Sequence, residues 1–316
     1  MAADDAARRI AKELRTVRDC VRWGASEFSR ARLAFGHGTD NALDEAFHLV
    51  LWALKLPLDL PAVYLEARLT EHELREVVSL LLERVRTRKP AAYLTGEAWF
   101  AGLSFEVDER VLVPRSPIAE LIEARFAPWL AAEPESILDL CAGSGCIGIA
   151  CAHAFPEARI DLAEIDPGAL ALIDRNLARH HLGRKVQAVA GDLFAPLKDR
   201  RYDLIVSNPP YVPAAEWQEL APEFKHEPRL ALEAGADGMD VVARILRAAP
   251  RHLTADGMLV CEIGGSQDEF AARFPRLPVS WPEFERGGDG VFVISRAELA
   301  AWQTAQRKKQ KAKARA

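Results

Sequence analysis

The sequence predicts an α/β fold, in which a doubly wound and mostly parallel sheet follows a small helical domain. Five short apolar runs are separated by lengths that fit helices, which is the pattern of a parallel sheet. These runs are 137–140, 160–163, 186–190, 204–206 and 258–263. Two more β-like segments, 279–284 and 291–295, flank the turn sequence Gly287-Gly288-Asp289-Gly290. They predict an antiparallel hairpin at the edge of the sheet.

Residues 1–95 are predicted to form a helical domain, because helix start, face and stop signals occur there in order. Thr70 and Glu73 have the spacing of a capping box. Apolar residues from Leu74 to Val85 then recur at helical spacing, and Pro90 ends the pattern. An earlier helix is predicted over 43–54.

Residues 96–117 are predicted to form a β-hairpin that links the two domains. Phe105, Val107, Val111 and Val113 alternate with polar positions around a turn at 108–110. The α/β domain is then expected over 118–300, and a disordered basic tail over 301–316. The last ten residues hold six cations and no acid. Such a run is either a solvated extension or a weak electrostatic tether to RNA.

Composition restricts the class of protein. The 316 residues carry a net charge of −5, so the body is not a general nucleic-acid binder on charge grounds. The five cysteines form no C-x-x-C pair, which argues against a disulfide framework and a zinc site and favours the reducing cytoplasm. The acidic residues Asp4 and Asp5 near the start exclude a secretory signal. The apolar stretch 137–155 contains Asp139 and several glycines, so it predicts a strand, a loop and a helix instead of a membrane span.

A glycine-rich loop after the first strand is the first candidate ligand site. Gly143, Gly145 and Gly148 have the G-x-G-x-x-G spacing, which lets a backbone turn sharply and approach a ligand. A helix expected from Cys146 offers free N–H groups at its start. The candidate cofactor-binding residues of this segment are Asp139, Cys141, Gly143, Ser144 and Gly145.

Acids follow the next two strands. Glu164 ends the second strand, where a carboxylate can accept both hydroxyl hydrogens of a ribose. Asp192 follows the third, placed to meet an adenine amino group while Leu193 or Phe194 packs on the ring. Three successive strand ends of this kind predict an adenosine-containing cofactor, and NAD remains an alternative because the glycine spacing also fits a dinucleotide.

The tetrapeptide Asn208-Pro209-Pro210-Tyr211 after the fourth strand is the most informative motif. Asn208 offers a side-chain carbonyl, and the peptide unit of Pro209 presents only a carbonyl, so together they can accept both hydrogens of a planar NH2 group. Tyr211 adds an aromatic face that can stack on a flat amide or base. A plain proline turn is the alternative. A hydride-transfer enzyme has no need of this motif, which argues against NAD.

Taken together, these residues resemble the class I methyltransferases that use S-adenosylmethionine, and within them the HemK-like protein glutamine methyltransferases. Further matches are Ala92-Tyr93-Leu94-Thr95-Gly96-Glu97, Val113-Pro114-Arg115, His226-Glu227-Pro228 and Asp237-Gly238. Pro114-Arg115-Ser116-Pro117, the cysteines of the glycine loop and Gly287-Gly288-Asp289-Gly290-Val291-Phe292 resemble the branch that modifies large-subunit ribosomal protein L-three (the PrmB branch) more than the release-factor branch.

The resemblance implies methyl transfer from S-adenosylmethionine to a glutamine side-chain nitrogen of ribosomal protein L-three, either free or in an assembly intermediate. It implies that Asn208, Pro209, Pro210 and Tyr211 form the catalytic motif, that Asn208 also contacts the cofactor, and that no metal is needed. Glu97 and Arg115 are expected to border the substrate entrance or to form a salt bridge between domains, and His226 is more simply a packing residue. The rivals are a release-factor methyltransferase, a nucleic-acid amino methyltransferase and a non-catalytic assembly protein.

Overall fold

The computed structural model describes the backbone of residues 2–313 and the side chains of residues 7–309. It divides into two compact units. The helical unit comprises the chain up to Ala98 together with Leu220–His226, and the second unit comprises Trp99–Glu219 and the chain from Glu227 onward. The sequence placed the domain boundaries at 95 and 118. It gave no sign that the segment Leu220–His226 groups with the helical unit.

The helical unit is a set of short helices around one apolar core. Leu49, Leu51, Val77, Val78 and Leu81 are all at most 1% exposed. The predicted capping box is present, since Thr70 and Glu73 each bond the other's backbone N–H. The helices are α1 Ala2–Ala11, α2 Val17–Arg30, α3 Ala42–Ala53, α4 Glu71–Thr87 and α5 Ala91–Thr95, with 3₁₀ turns at Ala62–Glu66 and Phe224–His226.

A buried ionic cluster lies inside this unit. Arg84 is fully buried, and its Nε lies 2.7 Å from Oε1 of Glu45. Glu223 is also fully buried, and its Oε1 lies 2.7 Å from Nη2 of Arg88. Because a buried charge is tolerated only when it is paired, these contacts explain why the segment Leu220–His226 belongs to the helical unit.

The β-hairpin prediction is correct in kind and wrong in position. Strands β1 Glu97–Phe100 and β2 Leu103–Glu106 pair with each other, and the turn between them is Ala101-Gly102, with φ of +48° and +75°. Two residues at positive φ are what a two-residue hairpin turn of type I′ requires. Val113, predicted as part of the second strand, donates its N–H to Oε1 of Glu227 at 3.0 Å and not to a neighbouring strand.

The second unit is built on a sheet of six strands in the order β5-β4-β3-β6-β7-β8. All neighbours are parallel except β7 and β8. This confirms the predicted doubly wound α/β fold with an antiparallel edge strand. The strands are β3 Ser136–Leu140, β4 Arg159–Glu164, β5 Val186–Ala190, β6 Tyr202–Ser207, β7 Leu253–Glu262 and β8 Val291–Ser295.

Helices pack against this sheet, and its central strands are buried on both faces, as a parallel sheet requires. Leu138, Leu140, Ile205 and Leu259 are completely buried. The helices are α6 Ile118–Glu123, α7 Cys146–Ala154, α8 Pro167–Arg179, α9 Ala214–Glu219, α10 Arg229–Leu232, α11 Asp240–His252, α12 Gln267–Arg273 and α13 Arg296–Lys313, with a 3₁₀ turn at Ala195–Leu197.

The predicted edge hairpin is only half present. The segment 291–295 is β8, but the segment 279–284 contributes a single bridge, between Ser280 and Val293. β8 takes its place in the sheet by pairing with β7 over five residues. The antiparallel strand at the edge of the sheet is therefore β8, and its main partner is β7 and not the segment 279–284.

The tail was predicted to be disordered from 301, and that prediction is wrong for residues 301–313, which lie in α13. Ser295 and Glu298 form a capping box at its start. Trp302 Nε1 donates to the carbonyl of Pro275 at 3.2 Å, and Gln303 Nε2 to that of Leu246 at 2.7 Å. Residues 314–316 lie outside the described part of the chain.

Among the helices that the structure describes, none combines the length and the apolar character that a membrane crossing demands.

Candidate active site

A cleft opens at the carboxyl ends of the parallel strands in the second unit. The chain runs from β3 outward to β4 and β5, then crosses back to β6 on the other side of β3, so the ends of β3 and β6 form the switch point where open α/β sheets bind ligands. Ser207 Oγ donates to the carbonyl of Leu140 at 2.8 Å and joins these two ends.

The cleft brings together most of the residues that the sequence singled out. Of the predicted site residues, nine line it: Arg115, Cys141, Gly143, Ser144, Glu164, Asp192, Leu193, Asn208 and Pro210. Asp139, Gly145, Pro209 and Tyr211 are not among the described residues of its lining, and Glu97 belongs to the helical unit. The predicted strand-end residues therefore converge on one site.

The three glycines after β3 are required for different structural reasons. Gly143 has φ of +56° and a Cβ added there would meet nothing within 4 Å, so its surface is open to the cleft. Gly145 has φ of +81° and precedes α7. A Cβ on Gly148 would lie 2.0 Å from Cδ2 of Leu162. Gly143 and Gly145 thus shape the loop, whereas Gly148 allows α7 to pack closely on β4.

Asp139 stabilises the segment after β3 through a hydrogen bond from its backbone. Its side chain is 1% exposed, and Oδ2 accepts the N–H of Gly148 at 2.8 Å. The other oxygen, Oδ1, is buried and has no hydrogen-bond partner among the described residues. Burial, and to a smaller extent the nearby charge of Glu164, raises the pKa of Asp139 to about 7.

Glu164 organises the loop as well as lining the cleft. Its Oε2 accepts the N–H of Gly143 at 2.8 Å, and its Oε1 accepts those of Ile165 and Asp166 at 2.8 and 2.9 Å. An ionised carboxylate has about four acceptor positions. Three are used here, so Glu164 has less capacity left for a ribose diol than the sequence suggested.

Asp192 and Leu193 follow β5 and face the cleft differently. Asp192 forms an ion pair with Arg244, another residue of the cleft wall, at 2.5 Å. Leu193 has φ of +49° and lines the cleft while remaining 9% exposed. Phe194, the alternative for packing on a base, is turned into the core, where it stacks on His252 at 4.5 Å between ring centroids.

The motif after β6 divides between the cleft and the interior. Asn208 and Pro210 line the cleft, and Pro209 is buried. Tyr211 packs against the hydrophobic core, and its hydroxyl donates to Oε1 of Glu262 at 3.3 Å. Burial is the main cause of a raised pKa at Tyr211. The aromatic ring predicted to stack on a substrate is therefore partly buried against the core in this structure.

Glu262 is the residue that the sequence reasoning missed. It ends β7 and is only 4% exposed. Its carboxylate accepts hydrogen bonds from the hydroxyls of Ser116 and Tyr211, and the side chain of Asn208 lies near it. Burial raises its pKa to about 7 against these hydrogen bonds, which act in the opposite direction. The signal was available, because an acid at the end of an apolar run is the feature that identified Glu164.

Arg115 and Glu227 form a bidentate ion pair beside the cleft. Nη1 and Nη2 of Arg115 lie 2.6 and 2.7 Å from the two carboxylate oxygens of Glu227, which is 3% exposed. Arg115 therefore pairs within its own unit. His226 lies in the helical unit, with Nε2 3.0 Å from the carbonyl oxygen of Thr87.

Comparisons with known proteins show the family to which this chain is related. A family model described as "Methyltransferase small domain" matches residues 125–237. The ribosomal protein uL3 glutamine methyltransferase of Xanthomonas campestris pv. campestris is 52% identical over 292 residues, covering 92% of this chain and 94% of that protein. The protein of the same name from Xylella fastidiosa is 51% identical and covers 92% and 93%.

Among solved structures, a methyltransferase from Pyrococcus furiosus is similar with a TM-score of 0.45 and 18% identity, over 62% of this chain and 89% of that one. The relatives at half identity confirm the resemblance inferred from the motifs. With 52% identity over 92% of its length, the chain belongs to the family of ribosomal protein uL3 glutamine methyltransferases.

Proposed function

We propose that this chain transfers the methyl group of S-adenosylmethionine to the side-chain amide nitrogen of a glutamine in uL3, the large-subunit ribosomal protein L-three. The observation that carries the proposal is that Asn208 shares one cleft with the glycine loop, Glu164 and Asp192. Its curated relatives, which match over more than nine-tenths of the chain, are named for this reaction.

The residues that line the cleft suit S-adenosylmethionine in their chemistry. The open surface of Gly143 leaves room for a ligand to reach the backbone, and the start of α7, which no side chain caps, lies beside it in the chain. Glu164 keeps one acceptor position for a hydroxyl, and Asp192 and Leu193 offer a polar and an apolar contact for a base. Cys141 and Ser144 complete the wall, and Asp139 and Gly145 hold the loop's shape.

S-adenosylmethionine supplies a methyl group that its positively charged sulfur already activates. The work left to the protein is to hold the acceptor, because an amide nitrogen is a poor nucleophile whose lone pair is shared with the carbonyl. In the proposed arrangement Asn208 Oδ1 accepts one N–H of the glutamine and the backbone carbonyl of Pro209 accepts the other. Both hydrogen bonds increase the electron density on nitrogen and fix the direction of its lone pair.

Rigidity makes this grip effective. Asn208 and Pro209 each precede a proline, which restricts them to extended backbone geometry, and Pro209 is buried. Alignment of two reactants contributes ~7–11 kcal/mol in favourable cases. After transfer the methylated nitrogen is cationic and loses its proton to water, so the proposal assigns no general base.

The remaining assignments concern recognition. We place Arg115 at the rim that the substrate chain crosses, and the helical unit, with Glu97 at its end, as the part that recognises folded uL3. The exposed cations at 307–309 near the end of α13 are a weak electrostatic contact for RNA if uL3 is met in an assembly intermediate. The free thiols of all five cysteines agree with a reducing, cytoplasmic location.

The direct test is to incubate the protein with labelled S-adenosylmethionine and uL3 from cells that lack the modification, and to locate the label by peptide mass. We expect one added methyl group on one glutamine. Asn208→Ala should lower transfer by ~10²–10³ while calorimetry detects nearly the same cofactor affinity. Label on a release factor or nucleic acid instead of uL3, or undiminished turnover by Asn208→Ala, would contradict the proposal.

A further inference from the structure

The orientation of the Asn208 side chain decides whether it can hold an amide. An asparagine ends in a carbonyl oxygen and an NH2 group of similar size, and only the oxygen accepts a hydrogen from a substrate N–H. If the amide of Asn208 were turned over, two NH2 groups would face each other across the cleft. The chain therefore needs a neighbour that holds the NH2 end of Asn208 away from the substrate.

Glu262 is in the right place to be that neighbour. The register of β6 and β7 pairs Ser207 with Cys261, so the next residues, Asn208 and Glu262, emerge side by side from the sheet. Glu262 is 4% exposed, and the side chain of Asn208 lies close enough to its carboxylate to lower the pKa of that acid as a hydrogen-bond donor would. The contact is thus made in the interior, behind the surface that Asn208 presents to the cleft.

The chemistry of Glu262 fixes the direction of this hydrogen bond. An ionised carboxylate only accepts hydrogen bonds. The other side chains that bond Glu262, the hydroxyls of Ser116 and Tyr211, donate to it. Asn208 must therefore also donate, through Nδ2, and its Oδ1 points the other way. Because hydrogen bonds in a chain polarise one another, the negative charge also increases the electron density on Oδ1.

We infer that Glu262 is a positioning residue for methyl transfer, which directs Oδ1 of Asn208 toward the substrate amide by binding its NH2 group. This inference rests on the proposed role of Asn208 as the amide acceptor. Glu262 is not among the described residues that line the cleft. Tyr211 contributes to the same positioning, because its hydroxyl donates a hydrogen bond to Glu262.

A dependence on pH follows from the same geometry. Burial raises the pKa of Glu262 to about 7, while the charge of Arg115 and the hydrogen bond from Tyr211 lower it, and Cys261 adjoins it in the chain. Once protonated, Glu262 can donate to Oδ1 of Asn208 and turn the amide over. The rate at saturating cofactor should therefore rise with pH through about 7.

The test compares wild type with Glu262→Gln, which keeps the size and loses the charge. A glutamine can donate as well as accept, so it no longer fixes the Asn208 amide. We expect kcat to fall ~10-fold, less than the ~10²–10³ typical for a group that contacts the reacting atoms. The KM for S-adenosylmethionine should stay the same, and the rise with pH between 6 and 8 should disappear.

Asp161→Asn is the matched control. Asp161 is also buried, at 8% exposure, and accepts from Tyr202, Gln187 and Arg200, but it is not part of the cleft wall. This variant should keep the wild-type rate and pH profile. The pKa of Asp139 is also raised to about 7, so the profiles are measured at saturating cofactor and the variant decides which acid is responsible.

Three results would overturn the inference. They are a wild-type rate that does not change with pH between 6 and 8, a Glu262→Gln rate within ~3-fold of wild type, and a pH rise that persists in Glu262→Gln. The first needs no variant, so poor folding of Glu262→Gln leaves the inference testable. Failure of wild type to methylate uL3 would instead refute the proposed function itself.

Discussion

Glu164→Gln tests the link between the glycine loop and the cofactor. Glutamine keeps one carbonyl oxygen, which can still accept the N–H groups of Ile165 and Asp166. It places an NH2 group against the N–H of Gly143, where the wild type has a 2.8 Å hydrogen bond to a carboxylate. A hydrogen bond to a charged group contributes ~1.5–3 kcal/mol. Because each ~1.4 kcal/mol is a tenfold change in affinity, we expect the dissociation constant for S-adenosylmethionine to rise ~10- to 100-fold.

Titration calorimetry with S-adenosylmethionine measures this change, and thermal unfolding checks that the variant is folded. Glu157→Gln serves as a control, since Glu157 is an exposed acid that pairs with Lys185 at 2.7 Å, and its affinity should equal that of wild type. An affinity for Glu164→Gln within ~3-fold of wild type would show that Glu164 does not shape the loop for the cofactor.

Gly148→Ala places a Cβ 2.0 Å from buried Leu162 and should destabilise the protein by ~1–3 kcal/mol, visible as a lower melting temperature; an unchanged value would mean that α7 moves without strain. In the folded protein the pKa of Asp139 is raised from 3.8 to about 7. The folded state therefore binds more protons than the unfolded state between these pH values, and stability should fall as pH rises through this range. Asp139→Asn should flatten this fall, measured by thermal unfolding at several pH values, and an identical slope would exclude Asp139 as its cause. Replacing the cations at 307–309 with glutamine should reduce the salt dependence of RNA binding while free uL3 is methylated at the wild-type rate; an unaltered salt slope would remove the RNA contact.

The sheet could be predicted from the sequence because buried parallel strands are continuous apolar runs. All five runs are strands in the structure, and the polar residues that follow the first four reach one cleft. Strand ends in a parallel sheet meet at one edge whatever the details of packing. For that reason Glu164, Asp192 and Asn208 could be placed together without any coordinates.

The sequence could not show which hydrogen bonds and packing contacts each side chain makes. Glu164 was assigned to a ribose because of its position, and only the structure shows that three backbone N–H groups already bind it. Tyr211 was assigned to the substrate because its aromatic face can stack on a flat amide, whereas the structure packs it against the core with its hydroxyl on Glu262. Such choices depend on atoms that are far apart in the chain.

The errors in secondary structure have a common physical origin. Val111 and Val113 are buried like strand residues, but the N–H of Val113 is satisfied by a side chain and not by a strand. The helix α13 was missed because its charge resembles that of disordered tails, whereas Ser295 and Glu298 cap it and Trp302 docks it on the body. Burial and charge patterns do not report where each backbone hydrogen bond goes.

The measurement that tests the grip on the amide most directly is a crystal structure with the demethylated cofactor and a glutamine peptide of uL3. We expect the glutamine nitrogen to lie within ~2.7–3.2 Å of both Asn208 Oδ1 and the Pro209 carbonyl oxygen, with Nδ2 of Asn208 turned to Glu262. A glutamine held elsewhere in the cleft, or one that faces the NH2 group of Asn208, would contradict the proposed mechanism.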